Sequence, residues 1–218
     1  MRILMTALGT LGLFFASPVL AAPPDLVNDD QKTLYALGLA ISQSLGPFTL
    51  NETELDIVKS GMVDGVLKRP QKVDLQAYGP KIHQLQLARA QKAGAAYLAK
   101  AAAEKGATKT ASGIVITTLK AGTGANPKPS DTVKVHYHGT LIDGTVFDSS
   151  VKRGEPATFG LSNVIKCWTE GVQQIKVGGK SKLVCPSDLA YGDRGAPPSI
   201  SPGSTLVFEV ELLEIVAK

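Results

Sequence analysis

Residues 133–150 read VKVHYHGTLIDGTVFDSS. Val133, Val135 and Tyr137 alternate with Lys134, His136 and His138, the period-2 pattern of a strand with one buried face. Asp143-Gly144 marks a turn, and Val146-Phe147 then run straight into Asp148. A carboxylate directly after a buried aromatic is unusual for a strand. Asp148 is either a turn cap or part of a site, and the chain on both sides decides which.

From Ala111 onward the neighbours of this stretch are strand-like. Gly113–Lys120 (GIVITTLK) is β-branched, Gly122–Ser130 is a Gly/Pro-rich loop, and Phe159 and Leu161 fall in a short strand. Trp168–Gln174 predicts one short helix. Lys180–Cys185 and Thr205–Val216 predict further strands, the last alternating well. Several short strands with one short helix describe an antiparallel α+β domain, assigned to residues 107–218.

Upstream the periodicity changes to that of helices. Leu34, Leu37, Ile41 and Leu45 form one stripe, ended by Gly46-Pro47. Asn51 with Glu54 three positions on has the form of a capping box opening a second helix, whose stripe is Leu55, Val58, Met62 and Val66. A third helix starts near Asp74, is disturbed at Gly79-Pro80, and runs through Lys105 to Gly106. Its part from Pro80 would reach about 39 Å at 1.5 Å per residue. With few large apolar side chains after Leu87, it is expected to bridge through solvent. Residues 22–79 then form a helical domain and 80–106 a linker helix. A helical unit this small gains stability from a second copy, so dimerisation through these helices is expected. The alternative is a helical cap folded back on the C-terminal domain.

Residues 1–21 carry Arg2, the apolar run Ile3–Ala16 and small residues before a cut after Ala21, the features of a secretory signal peptide. The mature chain is expected to be exported, with the bacterial periplasm as the compartment, and to hold no membrane span. Cys167 and Cys185 are the chain's two cysteines. In an oxidising compartment they are expected to pair, two buried free thiols being the alternative. The net charge of +4 is spread over scattered Lys and Arg, which argues against nucleic-acid binding.

Familiar catalytic motifs fail. Gly178-Gly179-Lys180-Ser181 resembles the end of a phosphate loop, but the first glycine required would fall at Gln174. No serine sits in a nucleophile elbow and no His-Glu-x-x-His occurs. His136 and His138 share a strand face without an evident third metal ligand, so no metal or cofactor is expected. Six of the chain's aromatic residues, Tyr137, Phe147, Phe159, Trp168, Tyr191 and Phe208, remain, all in one domain with Asp148. Taken singly, each reads as core.

Their order carries a resemblance. Val135–Gly139 (VHYHG), Gly144–Ser150 (GTVFDSS), Val164–Gly171 (VIKCWTEG), Leu189–Gly192 (LAYG) and Thr205–Leu212 (TLVFEVEL) are similar to the ordered motifs of FKBP-type peptidyl-prolyl cis-trans isomerases, over about residues 112–218. The helical region, with Tyr35–Gly38 (YALG), more loosely resembles the dimerisation domain of the exported Mip-like and FkpA-like members. The resemblance implies a five- to six-stranded antiparallel sheet wrapped around the short helix. It also implies proline-containing polypeptide clients, binding of macrolide-type inhibitors and a homodimer.

Carried over by motif, Trp168 is the floor of a proline pocket, walled by Tyr137, Phe147, Phe159, Val164, Ile165, Ile200 and Phe208. The Ile165 N–H and the Tyr191 hydroxyl bind substrate carbonyls, and Asp148 faces the twisting amide with Arg153 and Tyr137 as partners. Ala157 stands where many members have an aromatic, which lowers one wall. Cys167 takes a position that is usually glycine, and a bridge to Cys185 would staple the short helix to the sheet beneath the pocket. The competing function is a non-catalytic chaperone whose pocket only docks proline.

Overall fold

A computed structural model describes residues 25–216; the expected signal segment lies outside the described residues. Residues through Ser42 and residues from Gln43 onward form two compact units. The first holds most of α1 (Asp29–Leu45). Near its start, Gln31 accepts the Val27 N–H at 2.8 Å, and its own N–H donates to Asn28 Oδ1 at 2.9 Å. The helix buries none of its residues; Leu34 is 67% and Leu37 56% exposed. The expected apolar stripe is present and uncovered.

The second unit opens with α2 (Glu52–Val66), where the capping box forms as expected. Glu54 N–H donates to Asn51 Oδ1 at 2.9 Å, and Asn51 N–H returns to Glu54 Oε2 at 3.1 Å. Helix α3 (Leu75–Ala102) is continuous through Pro80, where a disturbance was expected. Pro80 lies in the second turn, so its missing N–H removes one intrahelical bond, and capping by Asp74 (Gln76 N–H to Oδ1, 2.9 Å) secures the start.

The sheet comprises β1 (Ala107–Lys109), β2 (Val115–Lys120), β3 (Thr132–Leu141), β4 (Val146–Ser149), β5 (Ala157–Gly160), β6 (Lys180–Cys185) and β7 (Leu206–Val216). All pairings are antiparallel, in the order β1-β2-β6-β7-β3-β4, and β5 also pairs with β3. Seven strands replace the expected five to six, because the chain leaving α3 turns at Gly106 and lays three residues along β2. Short helix α4 (Ser150–Arg153) follows β4, and α5 (Lys166–Gly171) is the helix read from Trp168 onward.

The principal core lies between the sheet and α5. Val133, Val135 and Tyr137 of β3, Leu206, Phe208, Val210 and Leu212 of β7, and Leu183 and Cys185 of β6 meet Trp168, Leu161 and Val172 there. A second cluster lies elsewhere: Val115, Val184 and Val207 pack with Ala101, Tyr97 and Leu98 of α3. The end of α3 is therefore a cover for the sheet and not a bridge through solvent. Alanine and glycine let the helix approach closely, so that Tyr97 and Leu98 are enough to cover the strand side chains.

Cys167 and Cys185 form a disulfide, with Cα atoms 5.7 Å apart, and both are fully buried. It joins α5 to the end of β6, as the sequence led us to expect. Among the described residues no helix is long and apolar enough to cross a membrane.

Candidate active site

A cleft of about 500 Å³ opens over α5, within the size range of small-ligand sites. It is lined by Tyr137, Phe147, Asp148, Phe159, Asn163, Val164, Ile165, Trp168, Tyr191 and Phe208. Trp168 is 4% exposed and meets Tyr137, Phe159 and Phe208 edge to face, with centroids 5.3, 5.5 and 5.4 Å away. Such T-shaped contacts align ring quadrupoles and fix the rings. Phe147 stacks edge-on against Phe208 at 5.4 Å, above Gly139. A Cβ at Gly139 would stand 2.7 Å from Phe147 and 3.1 Å from Phe208, so glycine there makes room for the wall.

Phe147 and Asp148 are neighbours, and a regular pleat would send them to opposite faces. The pairing of β3 with β4 shifts register between Gly139 and Thr140: Gly139 faces Asp148 and Thr140 faces Val146, which leaves Phe147 as the extra residue. A bulge re-aims side chains in this way, and both residues enter the cleft. That resolves the oddity of a carboxylate directly after an aromatic.

Asp148 is held from two sides. The Tyr137 hydroxyl donates to Oδ2 and Arg153 Nη1 donates to Oδ1, while Arg153 Nη2 reaches the Tyr137 oxygen at 2.9 Å. Partial burial pushes the Asp148 carboxyl up, but the hydrogen bonds from Tyr137 and Arg153 outweigh it, and the group titrates below its ordinary value. Burial and the carboxylate both push the Tyr137 phenol up. At neutral pH the cleft edge therefore carries a carboxylate and a neutral phenol, both paired with the Arg153 guanidinium.

The corner carrying these groups is pinned by two serines. Ser150, fully buried, accepts the Tyr137 N–H at 2.7 Å and lies 3.1 Å from His136 Nδ1. Ser149 caps α4 through the Lys152 N–H (3.2 Å) and lies 2.9 Å from His138 Nδ1. The two histidines thus each meet one serine of the pair.

Across the cleft, Ile165 caps α5 and its carbonyl accepts from Trp168 and Thr169. Its N–H has no acceptor among the described residues. Tyr191 is 42% exposed. The expected pocket residues Tyr137, Phe147, Phe159, Val164, Ile165, Trp168, Tyr191 and Phe208 thus come together around Asp148. Arg153 stands behind Asp148 and does not line the cleft.

Ile200 was also expected in the wall. Ala196 and Ile200 bond backbone to backbone at 2.8 and 3.0 Å, and Ile200 is 4% exposed within the core. It belongs to the same buried cluster as Trp168, Tyr137 and Phe208 but is not among the residues lining the cleft. Asn163 lines the cleft without having been foreseen; it is a polar residue just before Val164, in a short 3₁₀ turn (Leu161–Asn163), and no sequence pattern marked it.

Residues 124–213 match the family model described as FKBP-type peptidyl-prolyl cis-trans isomerase, and residues 30–115 match the model of the domain amino-terminal to it. The FKBP-type peptidyl-prolyl cis-trans isomerase FkpA of Aeromonas hydrophila is 43% identical, the match covering 92% of this chain and 81% of that protein. FkpA of Escherichia coli K12 is 42% identical over 86% of this chain and 76% of its own. The crystal structure of Escherichia coli FkpA aligns with a TM-score of 0.59, covering 88% of this chain and 98% of that one.

Proposed function

Because the chain belongs to the FKBP-type peptidyl-prolyl cis-trans isomerases, and is an enzyme of that activity, we propose that the cleft over Trp168 is where the X-Pro amide turns. The observation that carries this is the carboxylate of Asp148, fixed by Tyr137 and Arg153 at the rim of an aromatic cleft.

Rotation about the peptide bond is opposed by about 18–20 kcal/mol of lost amide resonance. The planar amide is the more charge-separated form, so stripping its water in an apolar cleft disfavours it relative to the twisted form. Each tenfold acceleration needs about 1.4 kcal/mol of that preference. Trp168, Tyr137, Phe159 and Phe208 would receive the proline ring. The Ile165 N–H and the Tyr191 hydroxyl would hold the flanking carbonyls, and Asp148 would face the amide without moving a proton. Asn163 adds a further polar contact at the rim.

The reading extends to the whole chain. Residues 22–79 would form a dimerisation domain, 80–106 an arm and 107–218 the isomerase domain. The uncovered faces of α1 and α2, including Leu34, Leu37, Ile57 and Val66, are apolar enough to meet a second copy, and a dimer would also have a surface for holding clients as a chaperone. The clients would be folding proteins of the compartment beyond the membrane, the periplasm where the signal segment would send the chain. Macrolide-type inhibitors would compete for the cleft.

A protease-coupled assay on an Ala-Leu-Pro-Phe peptide tests this. Turnover that is lost in Trp168→Leu with the fold intact is expected. Background-rate isomerisation by the wild-type chain, with normal client binding, would instead favour the non-catalytic chaperone.

A further inference from the structure

One face of α3 meets the segment that supports two residues of the cleft. Leu87, Ala90 and Gly94 lie within a narrow arc of the helix at 100° per residue, and this arc rests on Gly203–Thr205. Gly203 is buried with φ +73°, and a Cβ there would stand 2.8 Å from Leu87 Cδ1 and 3.3 Å from Ala90 Cβ. Gly94 is buried too; a Cβ on it would overlap Thr205 Oγ1 and come within 3.1 Å of Thr205 Cβ. Thr205 is itself 5% exposed. A glycine on each partner gives a contact close enough for small movements to be transmitted.

The contact leads into the cleft by two routes. Gly203 N–H donates to Gly192 O at 3.0 Å, and Gly192 follows Tyr191. Thr205 runs directly into β7, where Phe208 lines the cleft. The opposite face of α3 is tied as well. Arg89, two residues (200°) on from Leu87, donates to Phe48 O at 2.6 Å and pairs with Glu54 at 2.5 Å. The hydrogen bond to Glu54 holds the guanidinium's pKa above its ordinary value, and the bond to Arg89 holds that of the carboxyl below. One turn of α3 therefore joins the start of α2 to the base of the Tyr191 loop.

We propose that Leu87, Ala90 and Gly94 are positioning residues for the isomerase reaction: by clamping Gly203–Thr205 they fix Tyr191 and Phe208, and the helical arm sets how the cleft holds its substrate. This rests on the isomerase reading. A hydroxyl displaced by about 1 Å loses much of its value in orienting substrate, so the cleft would depend on a helix that never touches it.

Gly94→Ala in the full chain is the direct test. Alanine is the better helix former, so the change loads the contact and not the helix. We expect kcat/KM on the peptide to fall by about fivefold, the size of one lost hydrogen bond, with an unaltered circular dichroism spectrum. Gly79→Ala, where a Cβ meets nothing within 4 Å, should match wild type. Thr205→Ala removes the overlapping oxygen, so Gly94→Ala/Thr205→Ala should recover activity. In a Tyr191→Phe background the loss from Gly94→Ala should shrink.

The aromatic-ring NMR signals of Tyr191 and Phe208 should move in Gly94→Ala and stay in Gly79→Ala, whether or not the chain turns over peptide. Unmoved ring signals, or a Gly94→Ala chain as active as Gly79→Ala, overturn the proposal. If Gly94→Ala does not fold, Leu87→Ala loosens the same contact without overlap, and unchanged kcat/KM with unmoved signals there overturns it equally. A wild-type chain without activity whose ring signals still respond to Gly94→Ala supports the clamp and removes the isomerase reading alone.

Discussion

Tyr137 reaches Asp148 diagonally across the β3–β4 pair: the residue opposite Asp148 is Gly139, yet it is the Tyr137 hydroxyl that donates to Oδ2. The bare position at Gly139 leaves the carboxylate facing along the strand, toward the phenol and the Arg153 guanidinium. Asp148→Asn keeps the size of the side chain and removes its charge. Hydrogen bonds to a charged group are worth about 1.5–3 kcal/mol, so kcat/KM on a proline peptide should fall by roughly ten- to a hundredfold. Wild-type turnover in Asp148→Asn would remove Asp148 from the reaction.

The same triad fixes the pH response. The carboxyl's pKa is lowered in the folded chain, so the charged form is present above the unfolded value and is lost as pH falls through the lowered folded value. Activity should therefore hold through the ordinary carboxylate range and decline only below it. Arg153→Gln removes one support and should move that decline to higher pH. Asp148 and Arg153 are exposed enough for solvent to screen them, so turnover and not melting is the readout. Identical acid limbs in wild type and Arg153→Gln would contradict the assignment.

The strand face of β3, the capping box at Asn51 and most of the aromatic cleft were legible because each rests on a local signal: alternation, a three-residue spacing, or a motif. What escaped depended on contacts distant in sequence. The docking of α3 was missed because Ala90, Gly94 and Ala101 carry almost no hydrophobic signal. Its trace lies on the other partner. Leu183-Val184-Cys185 and Leu206-Val207-Phe208 run apolar without alternation, as strands do when both faces are covered.

The disulfide should act chiefly on stability. Cys167 and Cys185 are 18 residues apart, and closing a loop of that size is worth about 3 kcal/mol in the chain-entropy model. For a chain of this length that corresponds to a drop in Tm of roughly 6–12 °C in Cys167→Ala/Cys185→Ala. Both cysteines are buried, so a mild reductant should leave the bridge intact for as long as the protein stays folded. A melting curve of the double variant that superimposes on wild type would show that the bridge contributes nothing.

The uncovered stripe on α1 gives the last prediction. Leu34 and Leu37 are more than half exposed, in a helix that buries none of its own residues. Burying a leucine is worth about 1.5–3 kcal/mol, so a second copy covering several such residues would recover a large gain, and a charge placed among them would oppose it. Wild type should sediment as a dimer, and Leu34→Glu/Leu37→Glu in the full chain should therefore sediment as a monomer. Peptide turnover per chain should stay the same, since both residues lie in the unit before Gln43 and the cleft is formed after it. A double variant that still sediments as a dimer would place the contact between copies elsewhere.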